Sequence, residues 1–107
     1  MIYYLDKQIE WSKKTFGLGL RTLGIIKHIE KETQEIIANP TSHKEWLDVV
    51  ILALDGAWRT GATPHMIVNR LKEKQEINFA RKWVDHTNLA QDEVSEHIRE
   101  EGEKDGR

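Results

Sequence analysis

The chain has 107 residues, of which 32% are charged, and a formal net charge of −2 with both signs mixed. This length accommodates one domain with a modest core. The charge balance disfavours a nucleic-acid polymer as partner, because such binding needs a basic stripe. The absence of cysteine excludes disulfides and thiolate metal sites. Without a signal-peptide pattern or an apolar run near the ~20 residues that span a bilayer, we expect a cytoplasmic protein without membrane contact.

The sequence predicts an all-α fold of four main helices in a single domain, residues 1–100, followed by a polar tail at 101–107. The first helix covers about Ile2 to Lys14 and ends at a loop, because two closely spaced glycines break helical continuity. The second helix runs from about Thr22 to Ala38 and stops before Pro40.

The third helix is predicted from Ser42 to about Thr60, with Gly61 as its C-terminal stop. The fourth begins at Pro64, a residue favoured in the first helical position, and reaches about Trp83. Beyond it, residues 84–89 are predicted to be irregular and residues 90–100 to form a short polar helix.

Two pairs of acidic residues stand on consecutive predicted helices, Glu32 with Glu35 and Glu45 with Asp48. Three-residue spacing places both members of each pair on one helix face. The short turn between the helices favours antiparallel packing, which brings the two pairs together. Converging carboxylates need divalent cations between them, and ligands that are all oxygen atoms favour Mg²⁺ or Mn²⁺.

Helical periodicity places Glu32 inside an apolar arc, where an uncompensated carboxylate is costly. His28, one turn earlier, is either a ligand or a hydrogen-bonded neighbour. The third helix is apolar around most of its circumference, and we expect its charged stripe to face inward. That stripe consists of Glu45, Asp48, Asp55 and Arg59. The alternative is a solvent-exposed stripe in which Glu45 only completes a capping box with Ser42.

A polar, cationic row follows the fourth helix, with Lys74, Asn78 and Arg81 at four- and three-residue steps. Cations beside carboxylate-bound metal ions are what a polyphosphate substrate requires, because the remaining phosphate charge must be held. The alternative is that Lys74 and Arg81 only form surface ion pairs with neighbouring acids.

Taken together, these motifs resemble the MazG-like all-α nucleotide pyrophosphohydrolases, and most closely the phage-type (MazZ-like) dATP/dGTP pyrophosphohydrolase family. The likeness covers about Gln8 to Trp83. The spacing of nine residues between Glu35 and Glu45 is shorter than in MazG proper and fits the compact phage-type branch. The strings that carry the resemblance are Trp11–Ser–x–x–Thr–Phe–Gly17, His28–Ile–x–Lys–Glu32, Glu45–Trp–Leu–Asp48 continuing to Arg59, and Lys74–Gln–x–x–Asn78–x–x–Arg81–Lys–Trp83.

The resemblance implies a MazG-like helical bundle that hydrolyses dGTP and/or dATP to the monophosphate and pyrophosphate, with two or more Mg²⁺ or Mn²⁺ ions per site. Glu35 and Asp48 are the catalytic candidates, and which carboxylate accepts the proton of water stays open. The implied metal ligands are Glu32, Glu35, Glu45 and Asp48. The implied triphosphate contacts are Lys74, Asn78 and Arg81. Candidates for base recognition are Gln8, Trp11, Ser12 and Phe16. Candidates for orienting the metal ligands by hydrogen bonds are Asp55, His28 and Arg59, and Asp55 is either a further metal ligand or the partner of a basic residue.

The resemblance further implies a homodimer or homotetramer and, in a phage, a role in replacing adenine by 2-aminoadenine through conversion of dGTP to dGMP. Two alternatives remain at this stage. One is an all-α dUTPase-like hydrolase that prefers pyrimidine nucleotides. The other is a non-enzymatic helical oligomerisation module whose acidic residues are structural.

Overall fold

The computed structural model describes residues 1–83 and 97–98, and the fold is all-α, as predicted. The helices of this part of the chain are α1 (Ile2–Phe16), α2 (Thr22–Ala38), α3 (His43–Arg59) and α4 (Pro64–Ala80). The chain divides into two compact units, residues 1–68 and residues 69–107. No described helix combines the length and apolar character that crossing a bilayer requires.

A two-residue antiparallel ladder follows the helices, where β1 (Lys82–Trp83) pairs with β2 (His97–Ile98). The predicted extension of the fourth helix to Trp83, and the predicted short helix over residues 90–100, are therefore wrong at these positions. Aromatic and β-branched residues such as Trp83 and Ile98 are the types that strands favour. The predicted irregular segment 84–89 and the tail 101–107 lie outside the described residues.

Glycines terminate two of the helices. Gly17 follows α1 with φ 85°, and Gly61 follows α3 with φ 98°, a region of backbone conformation that side chains rarely adopt. Ser42 occupies the N-cap position of α3 but makes no side-chain capping hydrogen bond, so the capping box that Glu45 was to complete is not formed. At the start of α4, the Thr63 hydroxyl accepts a hydrogen bond from the backbone N–H of Met66.

The core of the first unit lies between α1 and α3. Leu5, Ile9 and Trp58 are buried against one another, with Leu54 and Ile67 packed around them. The side chain of Gln8 donates to the carbonyl of Ile51, 2.9 Å away, and one turn later Ser12 donates to Asp55. Because both contacts advance in the same direction, α1 and α3 run parallel. The helix that connects them in sequence, α2, runs antiparallel to both.

A buried polar network ties α1 to the end of α3. The Asp55 carboxylate accepts hydrogen bonds from the Ser12 hydroxyl at 2.5 Å, the Trp58 indole N–H at 2.8 Å and the Arg59 guanidinium at 3.1 Å. Burial alone would raise the pKa of Asp55. The three donors and the charge of Arg59 outweigh it and lower that pKa below its usual value of 3.8.

The same arginine holds the loop between α1 and α2. One terminal nitrogen of Arg59 donates to the carbonyls of Gly17 and Gly19, both at 2.9 Å, and the other donates to Ser12. Only 1% of the Arg59 side chain is exposed. Since a buried charge needs both a counter-ion and hydrogen-bond partners, the loop and Asp55 together make the burial of Arg59 tolerable.

Replacing Asp55 by asparagine should lower the free energy of unfolding by about 3 kcal/mol at neutral pH, because the Arg59 charge is left without a counter-ion. The lowered pKa sets the sign of the pH dependence. Asp55 stabilises the fold above pH 3.8, and this contribution is lost as pH falls below that value. Urea unfolding of both proteins across this range measures the difference, which should shrink on acidification.

The matched control is Glu73→Gln, which removes the exposed ion pair with Arg70 and should cost less than about 1 kcal/mol. Equal losses in the Asp55 and Glu73 variants would contradict a stabilising role for the buried network.

Candidate metal centre and nucleotide pocket

Three carboxylates from consecutive helices converge at one end of the first unit. Oxygen atoms of Glu32, Glu35 and Glu45 all lie within 4.8 Å of one another. Glu32 is buried, with 8% of its surface exposed, Glu45 is half-buried and Glu35 is exposed. Glu45 therefore faces α2, and the alternative of a stripe turned to solvent is wrong for this residue. The rest of the α3 stripe does not face α2, because Asp48 is exposed and Asp55 and Arg59 bond to α1 and the glycine loop.

Like charge and burial both act on this cluster. Contact with the Glu35 carboxylate, then burial and the charges of Glu35 and Asp48, raise the pKa of Glu32, against a smaller opposing effect of His28. Burial, followed by the proximity of Glu35 and Asp48, raises the pKa of Glu45, partly offset by its contact with Glu32. The fold therefore holds these groups in surroundings that disfavour negative charge.

The donor set fits a divalent metal ion. One oxygen of Glu32 is buried and finds no hydrogen-bond donor among the described residues. All the converging atoms are carboxylate oxygens, the ligands that hard divalent cations take. A bound cation would supply the missing partner of Glu32 and cancel the mutual repulsion, so the cluster is a candidate metal centre.

Asp48, the fourth predicted ligand, is exposed and does not belong to the group within 4.8 Å. It lines the same cavity as Glu32. Its charge contributes to the raised pKa values of Glu32 and Glu45, which places it in their electrostatic vicinity. Asp48 thus lies at the edge of the candidate metal centre.

The cavity beside the carboxylates has a volume of about 330 Å³ and is walled by α1, α2 and α3. Trp11 and Phe16 lie at its α1 side with their rings edge to face, 5.5 Å between centroids. A pocket with an apolar, aromatic wall and a few polar groups is typical of a small-molecule site. All four residues predicted for base recognition line it, namely Gln8, Trp11, Ser12 and Phe16.

The residues predicted to support the ligands take different positions. His28 Nε2 lies 3.3 Å from a Glu32 oxygen, at the exposed rim of the cavity. Asp55 lines the cavity. It was predicted to be either a further ligand or the partner of a basic residue, and in the structure it pairs with Arg59. Arg59 acts on the glycine loop and Asp55 and contacts none of the clustered glutamates.

The cationic row belongs to the second unit. Lys74 and Asn78 lie on α4, and the backbone N–H of Arg81 continues the helical pattern by donating to Ile77. Lys74 is exposed, and Asn78 and Arg81 are half-buried. Their assignment to the triphosphate stays a prediction.

Sequence reasoning missed Arg21, which lines the cavity. Its guanidinium carbon lies 4.4 Å from the centroid of the Phe16 ring. The available signal was its position directly after the glycine loop and before α2. Periodicity analysis ignores such a position because it belongs to no helix face.

Comparison with known proteins decides between the interpretations left open above. The profile of the dATP/dGTP pyrophosphohydrolase family matches residues 4–104, nearly the whole chain. The chain belongs to the dATP/dGTP pyrophosphohydrolase family. No curated protein and no solved structure shows significant similarity to it. As a member of this family the chain is an enzyme, a nucleoside triphosphate pyrophosphohydrolase, which makes the non-enzymatic alternative wrong.

In this pyrophosphohydrolase, Glu32→Gln should raise the melting temperature of the metal-free protein by roughly a few degrees, because it removes one of the mutually repelling charges. The same change should abolish the thermal stabilisation that Mn²⁺ or Mg²⁺ gives the wild-type protein. Differential scanning fluorimetry with EDTA or with each metal measures both effects.

Glu30→Gln is the control, since Glu30 lies on the same helix and is exposed. It should change neither the metal-free melting temperature nor the response to metal. If neither cation stabilised the wild-type protein, the assignment of a metal centre to this cluster would be contradicted.

Proposed function

We propose that the protein hydrolyses dGTP and dATP to the monophosphate and pyrophosphate in a reaction that depends on Mg²⁺ or Mn²⁺. The observation that carries this proposal is the arrangement of the first unit, in which Glu32 belongs both to the carboxylate cluster and to the lining of a cavity with an aromatic wall. A nucleoside triphosphate has two parts that are complementary to these features. Its polyanionic triphosphate binds through divalent cations, and its flat base packs against aromatic side chains.

Glu32, Glu35 and Glu45 would hold the metal ions, with Asp48 as a ligand at the cavity edge. Bound divalent cations lower the pKa of water and neutralise charge on phosphate oxygens. Oxygen-only ligands favour Mg²⁺ or Mn²⁺ over softer metals. Among the carboxylates, Glu35 is exposed and shares the cluster, so we assign it to accept the proton of the attacking water.

The base would occupy the aromatic part of the cavity. Trp11 and Phe16 offer ring surfaces, and stacking on aromatic side chains is how proteins bind bases. Gln8 uses its amide nitrogen on the carbonyl of Ile51, which leaves its amide oxygen as an acceptor. The Ser12 hydroxyl donates a hydrogen bond to Asp55, and Ser12 is 1% exposed, so we assign it to the cavity wall rather than to hydrogen bonding with the base.

Lys74, Asn78 and Arg81 would bind the triphosphate. The support is the resemblance of the string that contains them to the family pattern, together with their charge and hydrogen-bonding capacity. The family match favours purine substrates over the pyrimidines of the dUTPase-like alternative.

The test is incubation with the four dNTPs and the ribonucleotides in Mg²⁺, Mn²⁺ or EDTA, with monophosphate and pyrophosphate as readouts. We expect pyrophosphate release from dGTP and dATP with either metal and none in EDTA. Glu35→Gln and Asp48→Asn should each reduce kcat by roughly 100-fold or more, since general-base and electrostatic contributions are of that size.

Glu30→Gln and Asp6→Asn are the matched controls, because both residues are exposed on the helices that carry or face the site. Circular dichroism should show unchanged helix content in all four variants. Full activity of Glu35→Gln and Asp48→Asn would overturn the assignment of these residues. A preference for dUTP would favour the pyrimidine alternative.

We also propose that the protein assembles as a homodimer or homotetramer. The support is the exposed apolar surface near the start of α3, where Trp46 is 57%, Leu47 53% and Val50 47% exposed. Apolar surface of this kind in a monomer marks an interaction site. It adjoins Glu45 in the chain, so assembly there would also shield the metal centre from water.

Light scattering coupled to gel filtration should give a mass of two or four chains for the wild-type protein. Trp46→Glu should shift the population towards monomer, because it places a charge in the apolar contact. The control Lys31→Glu, an exposed position on α2, should keep the wild-type mass. A wild-type monomer peak would contradict assembly.

The reaction would take place in the cytoplasm, of an infected host if the chain is phage-encoded. There, dGMP formed from dGTP would feed the synthesis of 2-aminoadenine nucleotides. The support for this role is the resemblance to the phage-type branch of the family.

A further inference from the structure

Arg21 brings a fixed cationic group to the cavity. Among the described residues that line the cavity, it is the one whose side chain is charged at any physiological pH and positive. Its guanidinium lies over the Phe16 ring, 4.4 Å from the centroid. One terminal nitrogen lies 3.8 Å from the position a β-carbon would take at Gly24. The guanidinium therefore lies beside Gly24, near the start of α2.

The donors of Arg21 are uncommitted within the part of the chain that the structure describes. No hydrogen bond or ion pair joins it to another described residue, in contrast to Arg59, whose donors go to Asp55, Ser12 and the glycine loop. The nearby carboxylate of Asp55 is already neutralised by Arg59. Arg21 therefore presents a planar fork of N–H donors to whatever occupies the cavity.

The position of Arg21 along α2 separates it from the metal centre. Its guanidinium lies beside Gly24, eight residues before Glu32, which is roughly 12 Å along a helix axis. His28 lies between them at the cavity rim. If the carboxylates hold the phosphates through metal ions, the part of the substrate that reaches Arg21 is the base.

The chemistry of purines then determines what Arg21 selects. Guanine presents two acceptors side by side, O6 and N7, and arginine binds them with two parallel hydrogen bonds. Adenine has a donor, its 6-amino group, where guanine has O6. Since a guanidinium has only donors, adenine leaves one of them opposed by another donor.

We propose that Arg21 is the specificity-determining residue that reads the 6-oxo group and N7 of the purine, so that the enzyme prefers guanine over adenine nucleotides. This rests on the proposed function, because it assigns the base end of the same site. The Phe16 ring packs against the guanidinium, and the Arg59 contacts with Gly17 and Gly19 fix the loop that joins Phe16 to Arg21.

The experiment measures kcat/KM for dGTP, dITP, 7-deaza-dGTP and dATP with the wild-type protein, Arg21→Met, Arg21→Lys and the control Lys27→Met. Arg21→Met should lower kcat/KM for dGTP and dITP by roughly 5- to 100-fold, the range for one bidentate contact, and should leave dATP nearly unchanged. Arg21→Lys keeps the charge without the fork and should recover only part of the preference.

Lys27 lies on the exposed side of α2, and Lys27→Met removes the same charge, so it should leave the ratio of dGTP to dATP at the wild-type value. In the wild-type protein, dITP should match dGTP more closely than 7-deaza-dGTP does, since dITP retains O6 and N7. This comparison needs no variant, and equal kcat/KM values for dGTP and 7-deaza-dGTP would overturn the proposal even if the Arg21 variants do not fold.

A loss of the same factor for dGTP and dATP in Arg21→Met would overturn the proposal, because it would make Arg21 a phosphate or general cavity contact. An unchanged ratio would overturn it as well. If the wild-type protein released no pyrophosphate from any dNTP, the proposed function would fail separately. Calorimetric binding of dGMP and dAMP would then test Arg21 by itself, and equal affinities for the two monophosphates would overturn it.

Discussion

The constraint on which the first unit depends is the approach of three carboxylates from α2 and α3 to within 4.8 Å of one another. Like charges oppose this arrangement, and the burial of Glu32 adds to the opposition by withholding water from one of them. The contact between α2 and α3 and the short turn that joins them hold the groups in place. The protein therefore keeps an arrangement that its own stability disfavours, which is typical of functional sites and consistent with the proposed role in binding cations.

The opposite end of the same helices carries a carboxylate in the reverse situation. Asp55 receives three donors and a guanidinium counter-ion, and its pKa is lowered, whereas the pKa of Glu32 and of Glu45 is raised. The two ends of the cavity thus separate stability from function. At the Asp55 end the charges are satisfied and lock the glycine loop. At the glutamate end, the described residues supply no donor to one buried oxygen of Glu32, and the proposed partner is a bound cation.

Local sequence patterns were sufficient to predict the helices and part of the candidate metal centre. Helical periodicity correctly indicated that Glu32 lies on a buried face and that Glu45 turns towards α2, because a 3.6-residue repeat fixes which side chains share a face. Helical periodicity could not predict which side chains or strands pair in three dimensions. From the sequence, Asp55 could have been a metal ligand or the partner of a basic side chain, and the structure shows that Arg59 pairs with it. The short strand at Trp83 depends on a partner strand at residues 97–98, and no local pattern contains that information.

The rigidity of the loop end bears on how the cavity can choose between similar bases. A donor fork distinguishes O6 from a 6-amino group only if it is held in one plane, since a mobile side chain could turn away from the mismatched donor at little cost. Two arginines would share this task under the proposed assignment. Arg59 is buried and fixes the backbone at Gly17 and Gly19, and Arg21 lies on the Phe16 ring that this backbone positions. In the proposed complex the metal centre would fix the phosphates at the other end, and the distance between the two ends would determine which edge of a purine meets the fork.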